Sequence, residues 1–261
     1  MIGAIIGDVV GSGYEFNNTK TQDFELFTSR SSFTDDSVCT IAFMDFLLHA
    51  KVRDEKTAVE YLQRWTRKYP NAGYGGRFHS WVHSDEPRPY GSYGNGAAMR
   101  ISAVAYVAKN LKELEKLSNL VTGITHDHPE GMKGALVVAT CIFMALHGKS
   151  KVEIAKYAID QYHLIGHLDY DELVKSYTFD STCQGSVPQA IFCFLISNSF
   201  EECLRKTVGI GGDCDTTSAI SCAIAEARYS IPDEIVKQVR TKLDSGMLEI
   251  IDEFKEKYGG K

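Results

Sequence analysis

Stretch after stretch of this chain places apolar residues three and four positions apart. Cys39 to Ala50, Glu55 to Tyr69, Ala97 to Asn110, Gly131 to His147, Val152 to Tyr162, Val187 to Ile196, Phe200 to Val208, Thr217 to Tyr229 and Pro232 to Tyr258 all carry this spacing, which lines one face of an α-helix. The two-residue alternation of a half-buried strand is nearly absent. Such a chain can bury its apolar stripes only by packing helix on helix, so the expected fold is all-α with ten or more helices. Start signals agree: Asp54 precedes one helix, Ser199 precedes another with Glu201 and Glu202 in its first turn, and Pro232 stands at a first-turn position.

The opening segment carries Gly3, Gly7 and Gly11 at four-residue spacing, with Gly13 just beyond. On a helix these three share one face, which becomes bare backbone open to close packing. The segment is not a dinucleotide-binding fingerprint, because no strand precedes it and Gly11-Ser12-Gly13-Tyr14-Glu15-Phe16 lacks the last glycine. A buried helix in tight contact with its neighbours is expected.

With 261 residues, 44% of them hydrophobic and 24% charged, the chain has enough apolar side chains for a large core without staples. No low-complexity linker or repeat divides it, so residues 1–261 are expected to form a single domain. A net charge of -6 with no Lys/Arg-rich run argues against nucleic acid or anionic membrane as partners. The apolar run Met1 to Val10 lacks a basic flank, is interrupted by Asp8 and is too short to span a bilayer. Seven cysteines without CxxC spacing fit a reducing compartment. A cytoplasmic monomer is the expectation.

Two acidic clusters stand out against this background. Thr34-Asp35-Asp36 and Gly211-Gly212-Asp213-Cys214-Asp215-Thr216 each lie immediately before a helical stretch. Either could simply cap a helix. Adjacent carboxylates repel one another, however, and hard oxygen donors of this kind suit Mg2+, Mn2+ or Ca2+ rather than zinc. Four carboxylates would balance two divalent ions, and paired glycines before Asp213 let the backbone turn sharply so that Asp213 and Asp215 share one side of a loop, with Cys214 pointing away. The expected arrangement is one divalent-metal site built from distant parts of the chain.

Gly91-Ser92-Tyr93-Gly94-Asn95-Gly96-Ala97-Ala98-Met99-Arg100 is a glycine-rich turn running into a helix, where free N–H groups and the Ser92 hydroxyl could meet a phosphate. Thr125-His126-Asp127-His128-Pro129-Glu130 reads as a polar loop with one histidine facing a ligand and Pro129 in a first helical turn. Tyr74, Arg77, Phe78 and Trp81 could stack on a base, although aromatics at helical spacing usually fill a core. Cys183, within Asp180-Ser181-Thr182-Cys183-Gln184-Gly185, has no histidine partner in sequence and reads as structural.

Taken in order, Gly3-Ala4-Ile5-Ile6-Gly7-Asp8 with Glu15, then Phe33-Thr34-Asp35-Asp36, Ser92 through Arg100, Thr125-His126 and Gly211 through Thr216, the chain resembles the ADP-ribosylglycohydrolase family over nearly its whole length. The resemblance implies a compact multi-helix orthogonal bundle holding two Mg2+ ions, or Mn2+. It further implies cleavage of the N- or O-glycosidic bond at C1 of the distal ribose of ADP-ribose. By the same resemblance Thr34, Asp35, Asp36, Asp213, Asp215 and Thr216 are metal ligands, with Glu15 and Asp35 at the reacting centre. Ser92, Tyr93, Gly94, Asn95 and Gly96 match the family's diphosphate loop, and His126 its ligand-side histidine. Two positions depart from the pattern: Cys214 stands where many relatives carry Thr or Ser, and His128-Pro129-Glu130 follows only some members.

The expected activity is thus release of ADP-ribose from an ADP-ribosylated protein or a small ADP-ribose conjugate. Two other readings fit parts of the sequence. Some lens crystallins resemble this family, so the fold can serve as a non-catalytic or merely ADP-ribose-binding protein. Acidic clusters beside a phosphate loop also suit a divalent-metal phosphohydrolase, which would release AMP instead.

Overall fold

The computed structural model describes residues 2–259. Fifteen α-helices occur among them: α1 (Gly3–Ser12), α2 (Asp35–His49), α3 (Glu55–Lys68), α4 (Gly76–Val82), α5 (Gly96–Met99), α6 (Ser102–Val107), α7 (Leu111–Gly123), α8 (Pro129–Leu146), α9 (Lys151–Gln161), α10 (Tyr170–Ser176), α11 (Cys183–Leu195), α12 (Phe200–Ile210), α13 (Cys214–Glu226), α14 (Asp233–Arg240) and α15 (Ser245–Tyr258). A 3-10 turn over His163–His167 links α9 to α10. The extended pairing among the described residues is a lone antiparallel bridge between Gly94 and Thr182. The all-α expectation holds.

The glycine face of α1 lies directly against the backbone of α13. A methyl group added to Gly3, Gly7 or Gly11 would lie 2.6, 2.2 or 2.3 Å from the carbonyl oxygens of Cys222, Ser218 and Cys214 respectively. Both sets step by four residues and in opposite directions, so α1 and α13 run antiparallel with their backbones touching. Glu226, at the last turn of α13, closes the far end by accepting from the N–H groups of Ile2 (3.0 Å) and Gly3 (2.7 Å), which answers donors that a helix start leaves open. The near end brings the chain leaving α1 beside the first turn of α13.

Around this pair one contiguous core gathers side chains from every helix except α10, which has a small cluster of its own built on Leu173, Tyr177, Cys193 and Ile210. α8 is long and apolar enough to cross a bilayer by length and composition, and 61% of that stretch is buried here against its neighbours, which include α5, α6, α7 and α11.

Two expected helices are in fact pairs. Ala97 to Asn110 divides into α5 and α6 because the chain breaks at Arg100 and Ile101, and Asn110 caps the next helix by accepting from Glu113 N at 3.0 Å. Pro232 to Tyr258 divides into α14 and α15, the second capped by Asp244 accepting from Met247 N at 3.0 Å. α4, α7 and α10 were not anticipated from periodicity.

Candidate active site

Three segments converge where α1 ends and α13 begins. The first is held by Asp8, an aspartate wholly buried on α1. It accepts from Thr34 N (2.9 Å), Thr34 Oγ1 (2.7 Å) and Ser37 N (3.0 Å), and also from Ser37 Oγ. Asp8 thereby docks the N-terminus of α2, while Thr34 caps that helix by accepting from Asp36 N at 3.3 Å. The second segment is the Gly211-Gly212 turn, where both residues sit at φ 77°. A side chain at Gly212 would come within 2.5 Å of the Tyr177 ring, so only glycine fits that left-handed turn. The third is the turn bearing Glu15. Asn18 ties it to the second, donating to Tyr14 O (2.8 Å) and Glu15 O (3.0 Å) while its Oδ1 accepts from Gly212 N (2.8 Å).

These segments assemble two acidic triads. Asp8, Asp36 and Asp215 bring one oxygen each within 4.8 Å of one another, as do Glu15, Asp213 and Asp215. Asp215 belongs to both. Burial and mutual repulsion push the carboxyls upward: Asp8 to about 6, by burial that four hydrogen bonds only partly offset, and Glu15 to about 7, by burial together with Asp213 and Asp8. Asp35 rises to about 7 through burial and Asp8. Asp36 and Asp215 are driven well above the carboxylate range by burial and by each other's neighbours, including Asp213. Carboxylates packed this closely favour a bound cation over shared protons at neutral pH.

A divalent cation fits the donors present. Asp36 Oδ1 is buried and has no hydrogen-bond partner, an arrangement that is costly unless something else coordinates the atom. Its other oxygen receives Thr216 Oγ1 at 3.3 Å. Asp213 Oδ2 accepts from Asn95 Nδ2 at 2.7 Å, which orients one of its oxygens and leaves the other for the site. All of these donors are oxygens, as hard cations require. Thr34, Asp35, Asp36, Asp213, Asp215 and Thr216 all line one cleft, as does Glu15. Asp35 lies outside both triads, while Asp8, absent from the sequence-derived ligands, lies inside one.

The cleft has a volume of about 720 Å3. Ser92, Gly94, Asn95, Gly96 and His126 form part of its wall, whereas Tyr93 does not; it is 44% exposed and packs its ring 5.1 Å from that of His128. The 91–96 loop is also less open than its composition implied. Gly94 N donates to Ser92 Oγ (3.2 Å) and Asn95 N to Ser181 O (2.8 Å), and α5 is a single turn. His126 is buried, with its Nε2 3.6 Å and 3.4 Å from where side chains on Gly94 and Gly96 would begin. Those two glycines leave the ring edge uncovered. Burial and Arg100 hold the His126 imidazole well below its usual value, hence neutral.

Other expectations resolve simply. Pro129 opens α8 behind His128, whose ring accepts from Glu130 N at 3.1 Å. Trp81 is core, and of the aromatics from Tyr69 to Trp81 only Phe78 lines the cleft. Cys183 is buried and donates to Gly94 O at 3.2 Å, and burial pushes its thiol up to about 12. Cys214 receives Asn18 Nδ2 at 3.4 Å. Asp8, Asn18 and Arg100 were missed as site residues. Asp8 had one signal, as a charged residue interrupting an apolar run.

An all-helical fold that gathers two carboxylate triads sharing Asp215 into one cleft defines a protein with a candidate site for a hard divalent cation. The family model for ADP-ribosylglycohydrolase matches residues 1–260. ADP-ribosylhydrolase ARH3 of Bos taurus is 26% identical over 88% of this chain and 84% of its own length. The ADP-ribosyl-[dinitrogen reductase] glycohydrolase of Rhodospirillum rubrum is 25% identical over 93% and 88%. Among solved structures, an ADP-ribosylglycohydrolase-related protein complex superposes with a TM-score of 0.72 at 22% identity, covering 95% of this chain and 93% of the other. The chain belongs to the ADP-ribosylglycohydrolase family and is a hydrolase.

Proposed function

We propose that this protein hydrolyses the glycosidic bond at C1 of the distal ribose in ADP-ribosylated proteins or small ADP-ribose conjugates, with two Mg2+ or Mn2+ ions as cofactor. The observation that carries the reading is the pair of acidic triads sharing Asp215 in a cleft that is also lined by Ser92, Gly94, Asn95, Gly96 and His126. Asp8, Asp36 and Asp215 would hold one ion and Glu15, Asp213 and Asp215 the other, with Thr34, Asp35 and Thr216 lining the same pocket. Divalent ions held there would supply positive charge for binding ribose hydroxyls and lowering the pKa of water.

The protein's own groups do the rest. Ser92 and the His126 edge receive the diphosphate, which fixes the anomeric carbon relative to Glu15 and makes the attack effectively intramolecular. Positive charge developing on the ribose is tolerated because carboxylates surround it. Glu15 is half-buried with its carboxyl raised to about 7, so it can hold a proton or accept one near neutral pH. Asn18 keeps the Glu15 backbone fixed to the Gly212 turn.

The test is a product assay with Mg2+ on arginine-, serine- and acyl-linked ADP-ribose. Release of intact ADP-ribose from at least one linkage, abolished by EDTA and by Glu15→Ala, is the expected result. Release of AMP would replace this reading with phosphoanhydride cleavage, and turnover in EDTA would remove the metal from it.

A further inference from the structure

Arg100 is the largest fully buried side chain in the molecule, 2% exposed, and among the described residues no carboxylate lies within ion-pair distance of it. Its guanidinium is held between the rings of Phe43 and Phe78, 5.3 and 5.6 Å from their centroids. Its Nε has no hydrogen-bond partner. Its Nη2 donates to Thr125 Oγ1 at 2.5 Å and reaches His126 Nδ1 at 3.2 Å, and Thr125 Oγ1 lies 2.7 Å from that same nitrogen. Asp35 and Cys39 feel its charge, but burying a cation with no carboxylate in direct contact is expensive, and packing alone would be served as well by an apolar side chain.

With the proton on Nδ1 the His126 ring would donate to Thr125 Oγ1, which could donate its own proton to Thr122 O at 3.4 Å, but Arg100 Nη2 would then face a donor; only the Nε2–H tautomer keeps the Arg100 contact. A guanidinium only donates, so Nδ1 must accept, and the ring proton resides on Nε2. That nitrogen borders the bare edges of Gly94 and Gly96 on the cleft wall. We propose that Arg100 is a positioning residue: it locks His126 as the neutral Nε2–H form, so that a fixed N–H donor meets the ligand's phosphate oxygens beside Gly94 and Gly96. The other groups around the imidazole do not compete for this role. Tyr90 presents its ring at 6.1 Å, Asp127 is engaged by Gly91 N at 2.6 Å, and α8 offers Gly131, which carries no side chain. The ligand's identity rests on the proposed function, whereas the state of the ring does not.

Nitrogen-15 NMR of histidine-labelled full-length protein, with the His126 signals assigned by His126→Asn, reads the ring directly without turnover. The expected spectrum shows a single Nε2–H tautomer from pH 5.5 to 8. In Arg100→Met the ring should populate both tautomers or titrate. ADP-ribose affinity should fall about tenfold or more, the cost of losing a charge-assisted contact, and should acquire a pH dependence that the parent lacks. A protonated or Nδ1–H ring in the parent protein overturns the proposal even if the variant does not fold. So does an Arg100→Met protein with unchanged tautomer and affinity. A locked ring in a protein without hydrolase activity would instead fault the functional reading alone.

Discussion

Asp215 is the carboxylate common to both acidic triads, so on the proposed two-ion reading removing its charge should act at both positions, whereas Asp213 belongs to one triad. Calorimetric titration with Mg2+ should show neither site in Asp215→Asn and one retained site in Asp213→Asn, with ADP-ribosyl hydrolysis lowered at least about 100-fold in Asp215→Asn from lost charge stabilisation. Equal losses in the two variants would contradict the shared role. The sequence displayed Asp213 and Asp215 because paired glycines and adjacent acids form a local pattern. It hid Asp8, whose partners Thr34 and Ser37 are remote in the chain. It hid Arg100 for the same reason, since a buried guanidinium is recognisable only by what surrounds it.

Close approach of α1 to α13 makes a sharp prediction for its glycines. In Gly7→Ala the new methyl would begin 2.2 Å from Ser218 O, a backbone atom that cannot swing aside, so a loss of about 3 kcal/mol in urea unfolding is expected. Gly76→Ala, with nothing within 4 Å of its methyl, should stay within about 0.5 kcal/mol of the parent. A second prediction concerns the contact between α2 and α15. His49 Nδ1 lies 2.7 Å from Asp45 and its Nε2 3.0 Å from Glu253, and these carboxylates raise its pKa above the ordinary 6.5. Its contribution is therefore complete below about pH 6.5 and is lost as the pH rises through the raised value. Protection of the α15 amides, taken relative to unfolded-chain exchange at the same pH, should fall slightly as the pH rises through that value, and His49→Ala should flatten that trend; the ring is 42% exposed, so the effect is small. The periodicity that revealed most helices could not show the break at Arg100 or the cap at Asp244. Both depend on tertiary demands and single polar residues rather than on apolar spacing.

For the whole molecule, the acidic centre ties stability to pH and metal. Folded-state values near 6 for Asp8 and 7 for Glu15 and Asp35 exceed the ordinary 3.8, 4.5 and 3.8. The folded protein then retains protons that the unfolded chain has released. This contribution to metal-free stability is complete below about pH 4 and is lost as the pH rises through about 7. On the proposed reading, bound cations would replace those protons. The gain in melting temperature from Mg2+ over EDTA should therefore be larger at pH 8 than at pH 5.5, and a gain independent of pH would sever the carboxylates from the metal.

The antiparallel contact of α1 with α13 also governs how the molecule comes into being. The glycine helix is made first, and the partner that covers it is made some 200 residues later, counting from Gly11 to Cys214. During vectorial synthesis the bare face of α1 has no native cover until residue 226 has left the ribosome, and until then the two acidic triads cannot assemble. Such long-range closure is slow and leaves apolar surface exposed. A chain released early carries an uncovered glycine face on α1 and two unassembled triads.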